Sequence, residues 1–136
     1  MRYCKYKGVL FDDEKSLRIN GFTHASINSD STCKIGKAFI INNGPEHGIG
    51  NWPSKIIVGK GANLVIGDYS GISSTTLLCS MEITIGRHVN IGGGTMIIDS
   101  NHHSTNWHGE DRSLDKKMPV RLLFILVTMC LLELAV

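Results

Sequence analysis

Aliphatic residues recur every six positions through the second half of this chain. Two such series, separated by a step of seven, are Ile66, Ile72, Leu78 and Ile85, Ile91, Ile97. A period of six fits neither an amphipathic helix, in which apolar residues return about every 3 to 4 positions, nor one long alternating strand. It fits short strands joined by tight corners, and a fixed repeat of this kind strongly constrains the whole fold.

Three such strands would make one turn of a three-sided solenoid. Each aliphatic residue of the series would then point inward and stack on its counterpart in the next turn. Gly67, Gly86 and Gly92 each follow an aliphatic member of the series. We expect glycine there because it tolerates the backbone angles of a corner. The period therefore predicts an all-β fold of stacked, parallel coils.

The period weakens toward the N-terminus without disappearing. The stretches "CKIGKAFIINNG" from Cys33 and "KIIVGKGANLVIG" from Lys55 repeat an apolar-glycine-basic texture, which predicts an earlier and less regular coil. Residues 42–45 and 48–53 are rich in turn-forming residues and should form a loop between coils. We expect one domain over residues 1–120, in which residues 1–30 form an irregular cap over exposed strand edges and residues 31–98 form the coils.

Composition narrows the class of protein. The chain has 136 residues, enough for one domain of ordinary size, and its net charge of +2 is too small to indicate binding to nucleic acid or to an anionic membrane. No apolar leader stands at the N-terminus, and the cysteines show no C-x-x-C spacing. We therefore expect a cytoplasmic protein with reduced thiols, each a small buried apolar residue: Cys4, Cys33, Cys79 and Cys130.

With "IGRHVNIGGGTMIIDSNHH" and "IGDYSGISSTTLLCS" both present, the chain resembles the hexapeptide-repeat acyltransferases. The closest likeness is to the O-acetyltransferases of bacterial capsule and lipopolysaccharide biosynthesis, and it covers roughly residues 30–120. The resemblance implies a left-handed parallel β-helix, an exception to the usual right-handed crossover. It also implies a homotrimer with active sites between neighbouring subunits, and acetyl-CoA as the acyl donor.

The resemblance also implies a catalytic loop, over residues 99–118. In this family the hexads break at a D-x-D-x-H loop whose histidine is the general base, and the matching stretch here is Asp99, Ser100, Asn101, His102, His103. A sugar hydroxyl is a poor nucleophile until a base removes its proton, and a neutral imidazole suits that task at pH 7. The pattern of the capsule enzymes puts the base at His103, which we favour. An alignment without gaps from Ile85 to the pattern of the maltose acetyltransferases puts it at His102. Asp99 would orient the loop or the imidazole, and Asn101 stands where the family usually has a second aspartate.

Other residues are expected around this base. Ser73 and Ser74 lie near where the sugar acetyltransferases carry an acceptor-facing asparagine, and Trp107 could sit over a sugar ring or pack against a subunit. Zinc could be ligated by His102, His103, His108 or Asp99, but no pair of them has the spacing of a known site, so we expect no metal. The expected function is acetyl-CoA-dependent O-acetylation of a sugar hydroxyl in surface polysaccharide synthesis. The alternative is a catalytically impaired, truncated β-solenoid with a structural or assembly role.

Residues 121–136 do not continue the period. Residues 122–136 are apolar except for Thr128 and Glu133, and they are shorter than the ~20 residues that span a bilayer. A shifted reading frame permits "GNNVFIGAGC" in place of residues 126–136, which favours a frameshifted, truncated acyltransferase that lacks later coils and much of its CoA site. A packed or oligomerising tail and a membrane anchor are the two alternatives.

Overall fold

The structure is a computed structural model that describes residues 8–45 and 52–100, and the regular secondary structure of these residues is almost entirely β-strand. A 3-10 turn spans Glu14–Ser16, and no helix among the described residues is long and apolar enough to span a membrane. The twelve strands are β1 (Val9–Phe11), β2 (Arg18–Asn20), β3 (Thr23–Ile27), β4 (Thr32–Ile35), β5 (Ile40–Asn42), β6 (Ser54–Val58), β7 (Asn63–Ile66), β8 (Gly71–Ser73), β9 (Thr76–Cys79), β10 (Glu82–Ile85), β11 (Asn90–Ile91) and β12 (Met96–Ile98).

The strands form three parallel sheets of four strands each. Sheet A has the order β1-β4-β7-β10, sheet B the order β2-β5-β8-β11, and sheet C the order β3-β6-β9-β12. The chain therefore visits sheets A, B and C in turn, four times over, and we number these visits turns 1 to 4. An all-β fold with parallel sheets, consistent with a parallel β-helix, is as the sequence predicts.

Aliphatic residues of successive turns pair in the register that the period predicts for sheets A and B. Ile66 pairs with Ile85 in sheet A, and Ile72 pairs with Ile91 in sheet B. The interior is apolar, as expected when every inward position packs on the turn above and below. Its buried residues include Cys33, Ile35, Phe39, Ile41, Ile56, Val58, Leu64, Ile66, Ile72, Leu77, Cys79, Ile83 and Ile85. The prediction that cysteines are small buried core residues is confirmed for Cys33 and Cys79, which are free thiols.

In sheet C the predicted inward residue is wrong. Leu78 is only partly buried, whereas its neighbours Leu77 and Cys79 are buried. Ile97 pairs with Leu77, so the inward series advances by five residues from Ile72 to Leu77, whereas it advances by six from Ile91 to Ile97. Because side chains alternate between faces, one residue fewer before β9 moves every side chain of that strand to the opposite face.

The predicted reason for the corner glycines is also wrong. Gly67 does not have a positive φ; instead, a Cβ at this position would lie 2.6 Å from the carbonyl carbon of Gly86 in the next turn. Glycine is needed there because two backbones approach closely. The left-handed residues stand two positions later, where Tyr69 and His88 have φ values of 56°.

The N-terminal segment predicted as an irregular cap instead supplies a strand to each sheet. Residues 9–27 contain β1, β2 and β3, which pair in parallel with β4, β5 and β6. The partners lie far apart along the chain, since Phe11 pairs with Ile35 and Ile19 pairs with Ile41. The residues between β5 and β6 lengthen the third interval, from Ala25 to Ile56, so the three intervals are unequal and the period is hidden in the sequence.

Candidate functional site

Three of the predicted site residues lie within the described part of the chain: Asp99, Ser73 and Ser74. The proposed base, His103 or His102, lies outside the described residues, as do Asn101, Trp107 and the tail over residues 121–136. Asp99 directly follows β12, and its partners therefore define the base of the loop that the sequence predicts to be catalytic.

Asp99 is buried and accepts hydrogen bonds from three consecutive backbone amides. One carboxylate oxygen, Oδ1, accepts from the N–H of Ser80 at 2.7 Å. The other, Oδ2, accepts from the N–H of Met81 at 2.6 Å and from that of Glu82 at 2.8 Å. Its side chain is only 8% exposed. The carboxylate is therefore held by the corner between β9 and β10.

The Cys79 thiol lies against the same carboxylate. Its Sγ is 3.6 Å from Asp99 Oδ2 and 3.4 Å from the carbonyl oxygen of Asn63, so its single proton can be donated to either. Burial and the neighbouring Asp99 charge raise the pKa of Cys79 to about 12. The thiol therefore stays protonated at neutral pH and is a poor nucleophile.

Ser100 adds a second contact between the same two segments. It is 6% exposed, and its hydroxyl donates to the hydroxyl of Ser80 at 3.2 Å. Asp99 and Ser100 together thus hold the end of β12 to residues 79–82. We call these residues, 79–82 with 99–100, the Asp99 latch.

Ser73 is the last residue of β8, and Ser74 follows it at the corner where the chain passes from sheet B to the start of β9 in sheet C. Ser73 is partly exposed, while Ser74 is buried, with φ of 42°, and its hydroxyl has no hydrogen-bond partner among the described residues. The indole N–H of Trp52 donates to the carbonyl oxygen of Ser74 at 3.0 Å. Trp52 is 53% exposed, so an aromatic face lies beside these serines.

Trp52 was not predicted as a candidate binding residue, because the sequence around it shows only a turn-rich loop. A half-exposed indole with its N–H satisfied by the protein presents an apolar face, which suits contact with a sugar ring. Trp52 lies outside the six-residue series, so the period gives no indication of where it lies in the fold. Only the fold shows that it lies next to the turn-3 corner.

The structure does not bring Asp99 and the two serines together within one chain. Strand β9 separates the corner that contains Ser74 from the corner that binds Asp99. Four residues in extended conformation span about 10 Å. One chain therefore presents two separate groups of candidate residues, at opposite ends of the strands of sheet C.

One row of outward side chains on sheet C is apolar. Ile57 pairs with Leu78, and Leu78 pairs with Ile98, so that three aliphatic side chains stand in one row across turns 2 to 4. Each is partly exposed, and Met96 beside them is 57% exposed. Leu78 belongs to this outer row, which explains why an aliphatic residue stands there although it is not inward.

Two histidines, His24 and His88, lie within the described residues, and neither is a hydrogen-bond partner of Asp99. His24 and His88 are exposed, and the His88 ring stacks on Tyr69 with a centroid distance of 5.1 Å. No cluster of three or more His, Cys, Asp or Glu side chains suited to a metal occurs in residues 8–45 and 52–100. His108, considered above as a zinc ligand, lies outside those residues.

Comparisons of the chain with protein-family models, with curated proteins and with solved structures give no match.

Proposed function

We propose that this protein is an acetyl-CoA-dependent O-acetyltransferase that acts on a sugar hydroxyl in surface polysaccharide synthesis. The observation that carries the proposal is the position of the D-S-N-H-H stretch. Directly after the last described strand of three parallel sheets stands Asp99, whose carboxylate is fixed by three backbone amides. In the sequence, two histidines follow within four residues.

In the proposed reaction, His103 or His102 takes the proton of the acceptor hydroxyl as its oxygen attacks the thioester carbonyl of acetyl-CoA. The C–S bond then breaks, the sugar ester forms, and the imidazolium returns its proton to the leaving thiolate. A backbone amide of an adjacent coil would stabilise the oxyanion of the tetrahedral intermediate. The reaction needs no metal and no redox partner.

The homotrimer belongs to the same proposal. An exposed row of three aliphatic residues on sheet C, Ile57, Leu78 and Ile98, supports packing against another subunit, because such rows are commonly buried in oligomer interfaces. The left-handed twist of the coils is likewise part of the proposal. With a neighbouring copy packed on sheet C, Ser73 and Trp52 of one copy could approach the Asp99 edge of another.

The test is acetyl transfer from isotopically labelled acetyl-CoA to a panel of monosaccharides and p-nitrophenyl glycosides. The double variant His102→Ala/His103→Ala should lose a factor on the order of 10² to 10⁴ in rate, since that is the usual contribution of a general base. The single variants then identify the base. His88→Ala is the matched control, because that side chain is exposed at the corner between sheets A and B, away from sheet C and from Asp99.

Transfer that persists in the double variant contradicts the mechanism. A wild-type chain that is folded yet transfers no acetyl group to any acceptor favours the other candidate, a catalytically impaired β-solenoid with an assembly role. The exposed aliphatic row on sheet C is the observation that favours this second candidate.

A further inference from the structure

Two Asn-Gly dipeptides lie at corners between sheets B and C, in successive turns of the solenoid. Asn20 is the last residue of β2, and Asn43 directly follows β5. They are neighbours across the turns, since the backbone N–H of Asn43 donates to the carbonyl oxygen of Asn20 at 2.9 Å. Asparagine before glycine is chemically labile, because no side chain shields the following backbone nitrogen. The chain therefore contains the same reactive dipeptide in two adjacent environments.

The Asn43 side chain is buried and is held through both of its polar atoms. Its Oδ1 accepts from the amide of Ser54 at 3.0 Å and from the Ser54 hydroxyl at 2.6 Å. Its Nδ2 donates to the carbonyl oxygen of Phe22 and to the hydroxyl of Thr23, both at 2.9 Å. The amide group cannot turn toward the backbone nitrogen of Gly44 unless these bonds break. Folding should therefore protect Asn43.

Asn20 is held far less firmly. It is exposed, and its side chain makes one hydrogen bond among the described residues, from Nδ2 to Oδ1 of Asn42 at 2.8 Å. Gly21 is exposed as well and has φ of 77°. Strand β2 is the outermost of the described strands in sheet B, and outer elements open locally at a lower free-energy cost than interior ones. Folding should therefore leave Asn20 reactive.

We infer that Asn20 is a site of spontaneous self-modification by intramolecular deamidation, and that folding protects Asn43 from the same reaction. The backbone nitrogen of Gly21 gives up its proton to hydroxide and attacks Cγ of Asn20. The new N–Cγ bond closes a five-membered imide, the Cγ–Nδ2 bond breaks, and the leaving nitrogen takes a proton from water and departs as ammonia. Water then opens the ring at either carbonyl, which gives aspartate or isoaspartate at position 20. No electrons are transferred, and the inference does not depend on the proposed acyl transfer.

The isoaspartate product should weaken the attachment of turn 1, because it adds one carbon atom to the main chain between position 20 and Gly21. The main chain has no room there, since a Cβ at Gly21 would lie 2.5 Å from the carbonyl oxygen of Asn43. A longer main chain displaces the neighbouring carbonyl of Phe22 from Asn43 Nδ2. The aspartate product keeps the length of the main chain and alters only the exposed contact with Asn42. The two products therefore differ in their effect on the pairing of turns 1 and 2.

The experiment compares the two asparagines within one sample. The full chain is incubated at mildly alkaline pH, once folded and once unfolded in guanidinium chloride, and tandem mass spectrometry of its peptides measures the amide that remains at each position. The unfolded chain corrects for the different residues after the two glycines, Phe22 and Pro45. We expect folding to slow the reaction at least about a hundredfold at Asn43 and no more than about tenfold at Asn20, since only the first needs an opening that breaks buried bonds.

Asn20→Gln is the matched control, because its side chain is one carbon longer and closes a six-membered ring far more slowly. It should lose the modification at position 20 and leave Asn43 as protected as in the wild type. The isoaspartate fraction, separated by chromatography, should unfold at a lower urea concentration than the unmodified chain. Asn20→Asp should unfold within about 0.3 M of the wild type, since only an exposed contact changes.

Equal suppression of the reaction at the two asparagines overturns the inference, and so does faster loss of the amide at Asn43 than at Asn20 in the folded chain. Both results come from the wild type alone and need no variant to fold. An isoaspartate fraction that unfolds together with the unmodified chain overturns the predicted effect on turn 1. Acetyl transfer is measured in none of these samples, so failure of the proposed function leaves the test intact.

Discussion

Replacement of Asn43 by alanine should destabilise the fold far more than the same replacement at the adjacent Asn42. The Asn43 side chain bonds the amide and hydroxyl of Ser54 at 3.0 and 2.6 Å and the carbonyl of Phe22 at 2.9 Å. It also accepts from the amide of Ser74 at 3.2 Å, but that amide has a second acceptor in the carbonyl of Asn42 at the same distance.

The expected magnitude follows from the groups that lose their partner. The Ser54 amide belongs to a residue that is 0% exposed, and leaving it unsatisfied costs about 1 to 3 kcal/mol. The Phe22 carbonyl, on an exposed residue, adds about 1 kcal/mol, and the space left by the amide adds a similar amount. We expect a loss of about 3 kcal/mol for Asn43→Ala. Asn42→Ala removes one exposed bond, to Asn20, and should cost about 0.5 kcal/mol or less.

The assay is equilibrium urea unfolding of both variants, followed by far-UV circular dichroism at one protein concentration. With a slope of about 2 kcal/mol/M, the Asn43 variant should unfold about 1.5 M earlier than the wild type, and the Asn42 variant within about 0.3 M of it. Equal shifts in the two variants would refute the reasoning that a buried side chain bridges the turns where the loop leaves.

Two further outcomes are expected. Leu77→Ala should cost about 3 kcal/mol in urea unfolding and Leu78→Ala about 1 kcal/mol, because Leu77 is 0% exposed and Leu78 lies on the outer face; the reverse order would contradict the register of sheet C. Burial raises the pKa of Cys33 to about 11 and that of Cys79 to about 12, from an ordinary value of 9.0. Above pH 9 the thiols of the unfolded chain therefore ionise, while both thiols of the folded protein stay protonated. Their contribution to stability is therefore complete below pH 9 and is lost as pH rises toward 11, by about 1 kcal/mol per thiol between pH 8 and pH 10. The free energy of unfolding of Cys33→Ala/Cys79→Ala should fall less steeply over that interval, and an unchanged slope would contradict the assignment.

The parallel sheets could be predicted because the hydrophobic period reports directly on packing. Ile66 and Ile72 lie six apart, as do Ile85 and Ile91, and the two pairs stack in register. The period and the register have the same cause: in each turn, the inward side chains pack on those of the neighbouring turn. That part of the fold needs no information beyond the spacing of apolar residues.

The remaining features depend on contacts that spacing does not encode. An aliphatic residue at position 78 fits the six-residue series whether it points inward or outward, and the connection before β9, which is one residue shorter than its counterpart in the next turn, decides which face it occupies. The first turn escaped prediction because unequal corners separate its strands from their partners. The partners of Asp99 and Asn43 could not be predicted, since a hydrogen bond to a backbone amide leaves no mark on the sequence of the donor.

The length of the connections in this fold varies most at the corners between sheets B and C. The corners between sheets A and B in turns 2 to 4 all contain four residues, 36–39, 67–70 and 86–89, whereas those between sheets B and C contain residues 21–22, 43–53, 74–75 and 92–95. The longest of these begins at Asn43, whose side chain bonds both Phe22 of turn 1 and Ser54 at the start of β6. For protein engineering, this edge is therefore the natural insertion point: a peptide grafted there changes the surface while the strands on either side keep their register.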